Sequence, residues 1–350
     1  MSMIKTTRAA VLVQQKSPLS IMEITLPDNL DFGQVLVKVI YSGICGSQIG
    51  EIDGVKGKDN FLPHLLGHEG YGQVIDIGPG VTKVKKNEKV ILHWRKGSGI
   101  NSATPQYSYK GDTVNSGWVT TFNDHAIISE NRLTKVSDKQ EALTAPLFGC
   151  AITTGFGVID NDANLKIGES VVIFGSGGIG LNMIQAAKLK GAFPVIAVDI
   201  YDERLDLAKK HNADFIINSR IEKDIRRSIL NISKDIDVFV DNTGNVDVIE
   251  LGYDLVNKKG RVVLVGVPKY DEKISINTLP LHFGKKLIGS EGGSTDPSID
   301  IPKYLKLVDQ GILDISKQIT QVCPLIDIND AISDMKNGVN KGKIIIELNS

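Results

Sequence analysis

The sequence predicts an α/β protein of two domains, one β-rich and the other a doubly wound parallel sheet covered by helices. Three observations carry that reading. The chain has 350 residues, more than one hydrophobic core usually spans. Residues from Thr7 to Leu92 alternate apolar and polar over short stretches, the period of half-buried strands. From about Gly168 the pattern changes to short apolar runs separated by helical segments, starting at a glycine-rich turn.

Taken in order, RAAVLVQQ, GQVLVKVIYSG and YGQVIDIGPG read as antiparallel strands joined by Gly- and Pro-marked turns. Trp94 to Gly117, rich in Gly, Ser, Asn and Tyr, reads as a long loop, of the kind expected to shape a site's mouth. ESVVIFG is then a buried strand, LNMIQAAKLKG a helix and PVIAVDI a strand; DERLDLAKKHNA is a helix and ADFIINS a short strand. IDVFVDNTG is a strand, VIELGYDLVNKKG a helix and RVVLVGVP a strand, so crossovers build a parallel sheet. After Gly293 come helices IPKYLKLVDQG and NDAISDMKNG and a terminal strand, GKIIIEL, which could finish either domain.

Apolar residues at 41% and charged ones at 23% are the balance of an ordinary globular protein. A net charge of −1 leaves no excess to attract nucleic acid or an anionic membrane, so a small-molecule partner is expected. The short basic runs at Lys83 to Lys86 and Lys223 to Arg227 read as solvated faces. Met1 to Val13 lacks an apolar segment with a cleavage site, and no run has the length of a membrane span; a cytoplasmic location is the expectation. Cys45, Cys150 and Cys323 are too few and too scattered for a disulfide scaffold, which turns attention to metal binding or catalysis.

Gly175-Ser176-Gly177-Gly178-Ile179-Gly180 lies between the strand VVIF and a helix, the context a dinucleotide fingerprint requires. Gly175 permits the tight turn, Gly177 lets the backbone approach a pyrophosphate, and Gly180 allows close helix–strand packing at a helix N-terminus that favours anions. Asp199 ends the next strand, nineteen residues after Gly180, where a carboxylate accepts from ribose hydroxyls and selects NAD; Arg204 is the one nearby cation that could favour NADP. Val267, closing the later strand RVVLVGVP, is counted with the cofactor-binding residues.

Cys45 in YSGICGSQ, His68 in LLGHEG and Cys150 in PLFGC offer two thiolates and an imidazole, a set suited to tetrahedral zinc with a fourth position open for substrate. Singly, a buried Cys or a lone His is an ordinary core residue. Adjacent glycines, Glu69 beside His68 and a dinucleotide site in the same chain strengthen the set; Cys323 has no such setting and reads as structural.

The segments GICGSQ, LPHLLGHEGYGQVIDIGPGV, FGCAITTGFG and VVIFGSGGIGL resemble the zinc-containing alcohol dehydrogenases of the medium-chain family, over nearly the whole chain. HWRKGSGI followed by VNSGWVTTFNDHAIISENRLTKV resembles the branch that includes glutathione-dependent formaldehyde dehydrogenases. The resemblance implies a GroES-like catalytic domain from residues 1–152 and 293–350, with a Rossmann NAD-binding domain, 153–292, inserted. It implies Cys45, His68 and Cys150 as zinc ligands, Glu69 as a carboxylate near the metal, Ser47 as the hydroxyl taking the substrate proton, and Thr154 beside the nicotinamide. Lys343 falls where the family places a cation near the pyrophosphate. The activity implied is reversible hydride transfer between an alcohol and NAD+ in a homodimer or homotetramer.

The chain also departs from the family. No cysteine lies between His68 and Cys150, so one catalytic zinc and no structural zinc is expected, with that lobe held by packing and hydrogen bonds. Gln48 replaces an acidic partner of the zinc-bound imidazole; an amide can accept the ring N–H but makes the ligand less basic, so weaker zinc affinity or a more electrophilic metal is expected. The family's relay histidine would fall near Gly50, leaving His125 a remote substitute. Glu51, Asp53, Arg95 and the loop to Gly117 are expected at the entrance, and their polarity favours a hydroxylated or charged substrate, with sugar alcohols, aminocyclitols and activated sugars open. The competing readings are a zinc-free quinone-reductase-like enzyme and a non-catalytic NAD-binding sensor; the ligand set with Ser47 and Glu69 disfavours both.

Overall fold

The computed structural model describes residues 4–348. The chain divides into two compact units, Met1–Cys150 with Asp296–Ser350, and Ala151–Thr295. The boundaries drawn from sequence differ from these by two and three residues.

The first unit is organised around the strand Gln34–Gly43, whose period-2 pattern serves two cores. Val35, Val37 and Val39 join Val74, Val90, Leu92, Ile344 and Ile346 in one buried cluster, while Leu36 joins Ala9, Val11, Ile24 and Ile127 in another. Burying each such side chain contributes about 1.5–3 kcal/mol, so a one-residue slip of this strand would invert both cores at once. Gln34–Gly43 pairs antiparallel with Glu69–Ile77 (Val37↔Val74), His125–Ser129 (Val35↔Ile128) and Lys343–Glu347 (Gly43↔Ile345). The last pairing settles the terminal strand: it completes the β-rich unit. A smaller sheet runs in the order His64–Leu65, Thr6–Leu12, Ser20–Thr25, Tyr107–Tyr109, Asp112–Val114.

Four features differ from the sequence reading. The loop after Trp94 contains the two short strands of that smaller sheet, Tyr107–Tyr109 and Asp112–Val114, too short to show a period. A seven-residue helix, Gly46–Ile52, interrupts the β-rich segment, and Ile319–Pro324 is a strand parallel to the terminal one. In the second unit the helix Val246–Leu255 stops before VNKKG, because Val256 already pairs with Ile236 as strand.

The lobe that lacks cysteines is pinned by Glu130, which is 1% exposed. Its Oε1 accepts the backbone N–H groups of Thr82 at 2.6 Å and Lys83 at 2.8 Å, and its Oε2 accepts that of Ile100 at 2.8 Å. Burial acts to raise its pKa, but these three donors outweigh it and hold the carboxyl below the ordinary glutamate value. One carboxylate thus ties together backbone from two loops, satisfying donors that are otherwise costly to bury.

The second unit is a six-stranded sheet, parallel throughout, in the order Phe215–Asn218, Val195–Asp199, Val171–Phe174, Ile236–Asp241, Val256–Leu264, Lys286–Gly289. Strand order reverses between Val171–Phe174 and Ile236–Asp241, and a nucleotide site forms at such a switch point, beyond the strands' carboxyl ends. Buried side chains from those two strands, among them Val172, Phe174 and Phe239, share a core with Ile196, Tyr253 and Val262.

Candidate active site

Three local devices bring the ligand candidates together in the first unit. Cys45 stands at the end of the central strand, as N-cap of the helix Gly46–Ile52. His68 immediately precedes the strand Glu69–Ile77. Cys150 follows a 3₁₀ turn, Ala145–Gly149, that leans on that strand: a Cβ at Gly149 would sit 2.3 Å from the Leu92 carbonyl oxygen and 2.8 Å from Glu69 Cα. Only glycine lets this turn approach so closely.

The ligand atoms of Cys45, His68 and Cys150 lie within 4.8 Å of one another. The two sulfurs are 3.9 Å apart, far beyond the ~2.05 Å of a disulfide but close to the ~3.8 Å between two thiolates on one tetrahedral zinc with Zn–S bonds of ~2.3 Å. His68 Nε2 is buried and has no hydrogen-bond partner, and neither do Ser47 Oγ and Glu69 Oε2. Orphaned polar atoms carry a desolvation cost that a bound group removes. The donor chemistry, the sulfur spacing and the free imidazole nitrogen all fit a zinc ion. Cys45 is held well below the usual thiol range, chiefly by its hydrogen bond from Cys150, against burial and with help from His68.

Glu69 is fully buried, and its Oε1 accepts from the Lys343 ammonium. Lys343 also donates to the Ile44 carbonyl at 3.0 Å. Burial pulls on the lysine, yet Glu69 and the two cysteines lift it above the ordinary value, so it stays charged. Lys343, expected beside a pyrophosphate, has partners inside the metal unit. Pairing of Ile345 with Gly43 draws it there.

Gln48 corrects a second expectation. Its Oε1 accepts the Cys45 backbone N–H at 2.9 Å, which leaves its Nε2 facing His68 Nδ1 at 3.1 Å. The amide therefore presents a donor, not the expected acceptor, to the ring. A metal on Nε2 requires a proton on Nδ1, so metal binding favours a turned amide at the expense of the Cys45 bond.

The other expected entrance residues separate. Glu51 lines a cavity of about 680 Å³ whose wall also includes Gln48, His68, Thr104, Asn115 and Trp118. Asp53 is not part of that wall; its carboxylate pairs with Lys336 at 2.5 Å. Arg95 is not part of it either and lies 5.6 Å from the Trp94 ring centroid. His125 sits in a hollow with Arg8 and Asp124, on a different face, which removes it as a proton relay. Sequence reasoning missed Asp59 and His64, on the same cavity wall as Glu51, because a lone Asp in a loop and a lone His in a two-residue strand carry no spacing signal.

In the second unit the fingerprint glycines behave as their mechanics demand. Gly175 has φ +98°, and a Cβ on Gly180 would lie 2.1 Å from the Gly175 carbonyl oxygen, while one on Gly177 would meet nothing within 4 Å. The helix Gly178–Leu189 starts without a side-chain cap, leaving its first N–H groups, those of Gly178 and Ile179 included, for an anion. Asp199 is 4% exposed and accepts the N–H of Ser176, Ile200 and Tyr201, which leaves one of its roughly four acceptor directions free. Thr154 Oγ1 is buried without a partner, and Val267 is exposed.

A β-rich unit with an incomplete tetrahedral ligand set and an α/β unit with a dinucleotide turn together define a two-domain dehydrogenase. Residues 31–138 match the alcohol dehydrogenase GroES-like domain, and residues 178–310 the zinc-binding dehydrogenase domain. S-(hydroxymethyl)glutathione dehydrogenase of Escherichia coli O157:H7 is 30% identical, covering 95% of this chain and 97% of its own length. Alcohol dehydrogenase class-3 of Cereibacter sphaeroides is 29% identical over 97% and 99%. Among solved structures, benzyl alcohol dehydrogenase from Acinetobacter calcoaceticus superposes with a TM-score of 0.88 at 27% identity, covering 99% of this chain and all of its own. The chain belongs to the zinc-containing medium-chain alcohol dehydrogenase family, and it is an oxidoreductase enzyme.

Proposed function

We propose that the chain is a zinc-dependent, NAD-linked dehydrogenase of a hydroxylated alcohol, polyol or sugar-like, with one zinc per subunit. The observation that supports it best is the Cys45–Cys150 spacing with the orphaned His68 Nε2 beside it. Zinc held by Cys45, His68 and Cys150 supplies Lewis acidity toward the substrate oxygen, and NAD on the Gly175 to Gly180 turn supplies the hydride acceptor. Ser47 Oγ, buried and unpaired, is placed to take the hydroxyl proton. Lys343 holds the Glu69 carboxylate through its Oε1 and leaves Oε2 without a partner, which supports a role for Glu69 beside the metal. Thr154 and Val267 are assigned to the nicotinamide end and Asp199 to the adenosine ribose, with preference for NAD over NADP.

The polar side chains on the cavity wall, among them Glu51, Asn115 and Ser116, support a hydroxylated substrate over a plain aliphatic alcohol. The glutathione adduct in the relatives' names is not carried over to this chain. A homodimer or homotetramer and a cytoplasmic location complete the proposal; among the described residues no helix is long and apolar enough to cross a membrane. The test is NADH formation by zinc-loaded enzyme with polyols and with alcohols of equal carbon number. Faster turnover of a polyol at equal concentration is the expected result. Turnover of simple alcohols alone overturns the substrate class, and no turnover in either direction overturns the activity.

A further inference from the structure

We propose that Glu51, together with the Asp59–His64 pair, forms the wall that reads the substrate's hydroxyl groups and so sets selectivity; this rests on the hydroxylated-substrate reading above. The carboxylate oxygens of Glu51 and Asp59 and a ring nitrogen of His64 lie within 4.8 Å of one another, and all three residues line the cavity that His68 and Gln48 also line. Gln48 and Glu51 are three residues apart on the helix Gly46–Ile52 and so share a face. That spacing sets the Glu51 backbone about 4.5 Å along the axis from Gln48, roughly the reach from a carbinol to a hydroxyl a few bonds away.

Asp59 and His64 are preorganised. His64 Nδ1 lies 3.0 Å from the Leu65 carbonyl oxygen and its Nε2 2.7 Å from Asp59 Oδ2. Both ring nitrogens therefore face oxygen acceptors, which fixes the ring against the turn. Asp59 Oδ1 accepts the Phe61 N–H at 2.8 Å, and Gln15 ties the turn from both sides, accepting the Asp59 N–H at 3.1 Å and donating to the Gly57 carbonyl at 2.9 Å. Such a fixed turn holds acceptors in place before substrate arrives. Glu51 contrasts with it. Half-buried, its carboxylate has no hydrogen bond or ion pair among the described residues.

A substrate bearing only one hydroxyl would cover the Glu51 carboxylate and give it nothing in return, a loss that makes such a site reject the poorer ligand strongly. A polyhydroxylated one donates to Glu51 and to the remaining lone pairs of Asp59. Lys56 and Lys58 on the same wall offset the negative charge, which favours a neutral hydroxylated molecule over an ammonium.

The experiment compares kcat/KM for cyclic and linear polyols with that for monohydric alcohols of equal carbon number, such as inositol against cyclohexanol. Zinc-loaded wild type, Glu51→Ala and Glu51→Gln are used. Binding of the same polyols is followed in parallel by tryptophan fluorescence, since Trp118 lines the cavity. Expected is a fall in the polyol-to-monohydric ratio of about tenfold to a hundredfold in Glu51→Ala, expressed in KM and in weaker binding more than in kcat, with Glu51→Gln between the two. An unchanged ratio in a wild type that prefers polyols overturns the assignment of Glu51. A wild type that prefers the monohydric partner in every pair overturns the hydroxylated-substrate reading and this inference with it, and that result is visible before any variant is made.

Discussion

At the scale of single residues, Gln48 and Asp199 make the account most exposed to test. The orientation of Gln48 puts an amide donor on His68 Nδ1, opposed to the tautomer that a metal on Nε2 needs. Gln48→Glu supplies an acceptor to the ring while keeping one for the Cys45 N–H. Loss of zinc to a chelator should then slow by about tenfold, the scale of such outer contacts; an unchanged rate would show that the amide costs nothing. In the proposed coenzyme site the charge of Asp199 would bar a 2′-phosphate, with Arg204 3.8 Å away as a partial counterweight. Asp199→Gly should shift the NADP-to-NAD ratio of kcat/KM upward by at least about tenfold, and a constant ratio would remove Asp199 from coenzyme choice. That Cys45, His68 and Cys150 belong together, and that the glycine turn precedes a helix, was legible in sequence because such chemistry fixes residue type and spacing. The partners of Lys343 and Gln48 were not, since they follow from strand pairing and from which backbone N–H an amide meets first.

At the scale of elements, the alternating helices and strands after Gly168 were readable because a parallel sheet imposes long apolar runs. The short strands at Tyr107 and Asp112 and the helix at Gly46 were not, being shorter than the periods that reveal them. In the lobe around Ile100, Glu130 gathers three backbone N–H groups on one charged acceptor. Because its folded-state pKa is depressed, its contribution is present above the unfolded glutamate value of about 4.3 and is lost as pH falls through the folded value. Glu130→Gln should therefore cost about 2 kcal/mol at neutral pH, with the gap to wild type closing in acid. Denaturant midpoints across that pH range measure it; a gap that does not vary with pH would mean packing, not charge, holds the lobe.

At the scale of the whole molecule, the fold class followed from pattern and length, whereas assignment of the terminal strand to the β-rich unit required its pairing with Gly43. In the proposed reading each unit carries a separable part of the chemistry: the candidate metal ligands and the cavity lie in the first, and the glycine-rich turn in the second. Coenzyme binding to the second should survive loss of the metal, which dialysis against a chelator followed by an NADH fluorescence titration can check; a coenzyme affinity abolished by chelation would contradict it. The claim on which everything else rests is that Cys45, His68 and Cys150 hold a single zinc. Its most direct test is elemental mass spectrometry of the purified protein alongside Cys150→Ala. The account predicts about one zinc per wild-type chain, lost in the variant, whereas a metal-free wild type, or zinc retained in full by the variant, would contradict it.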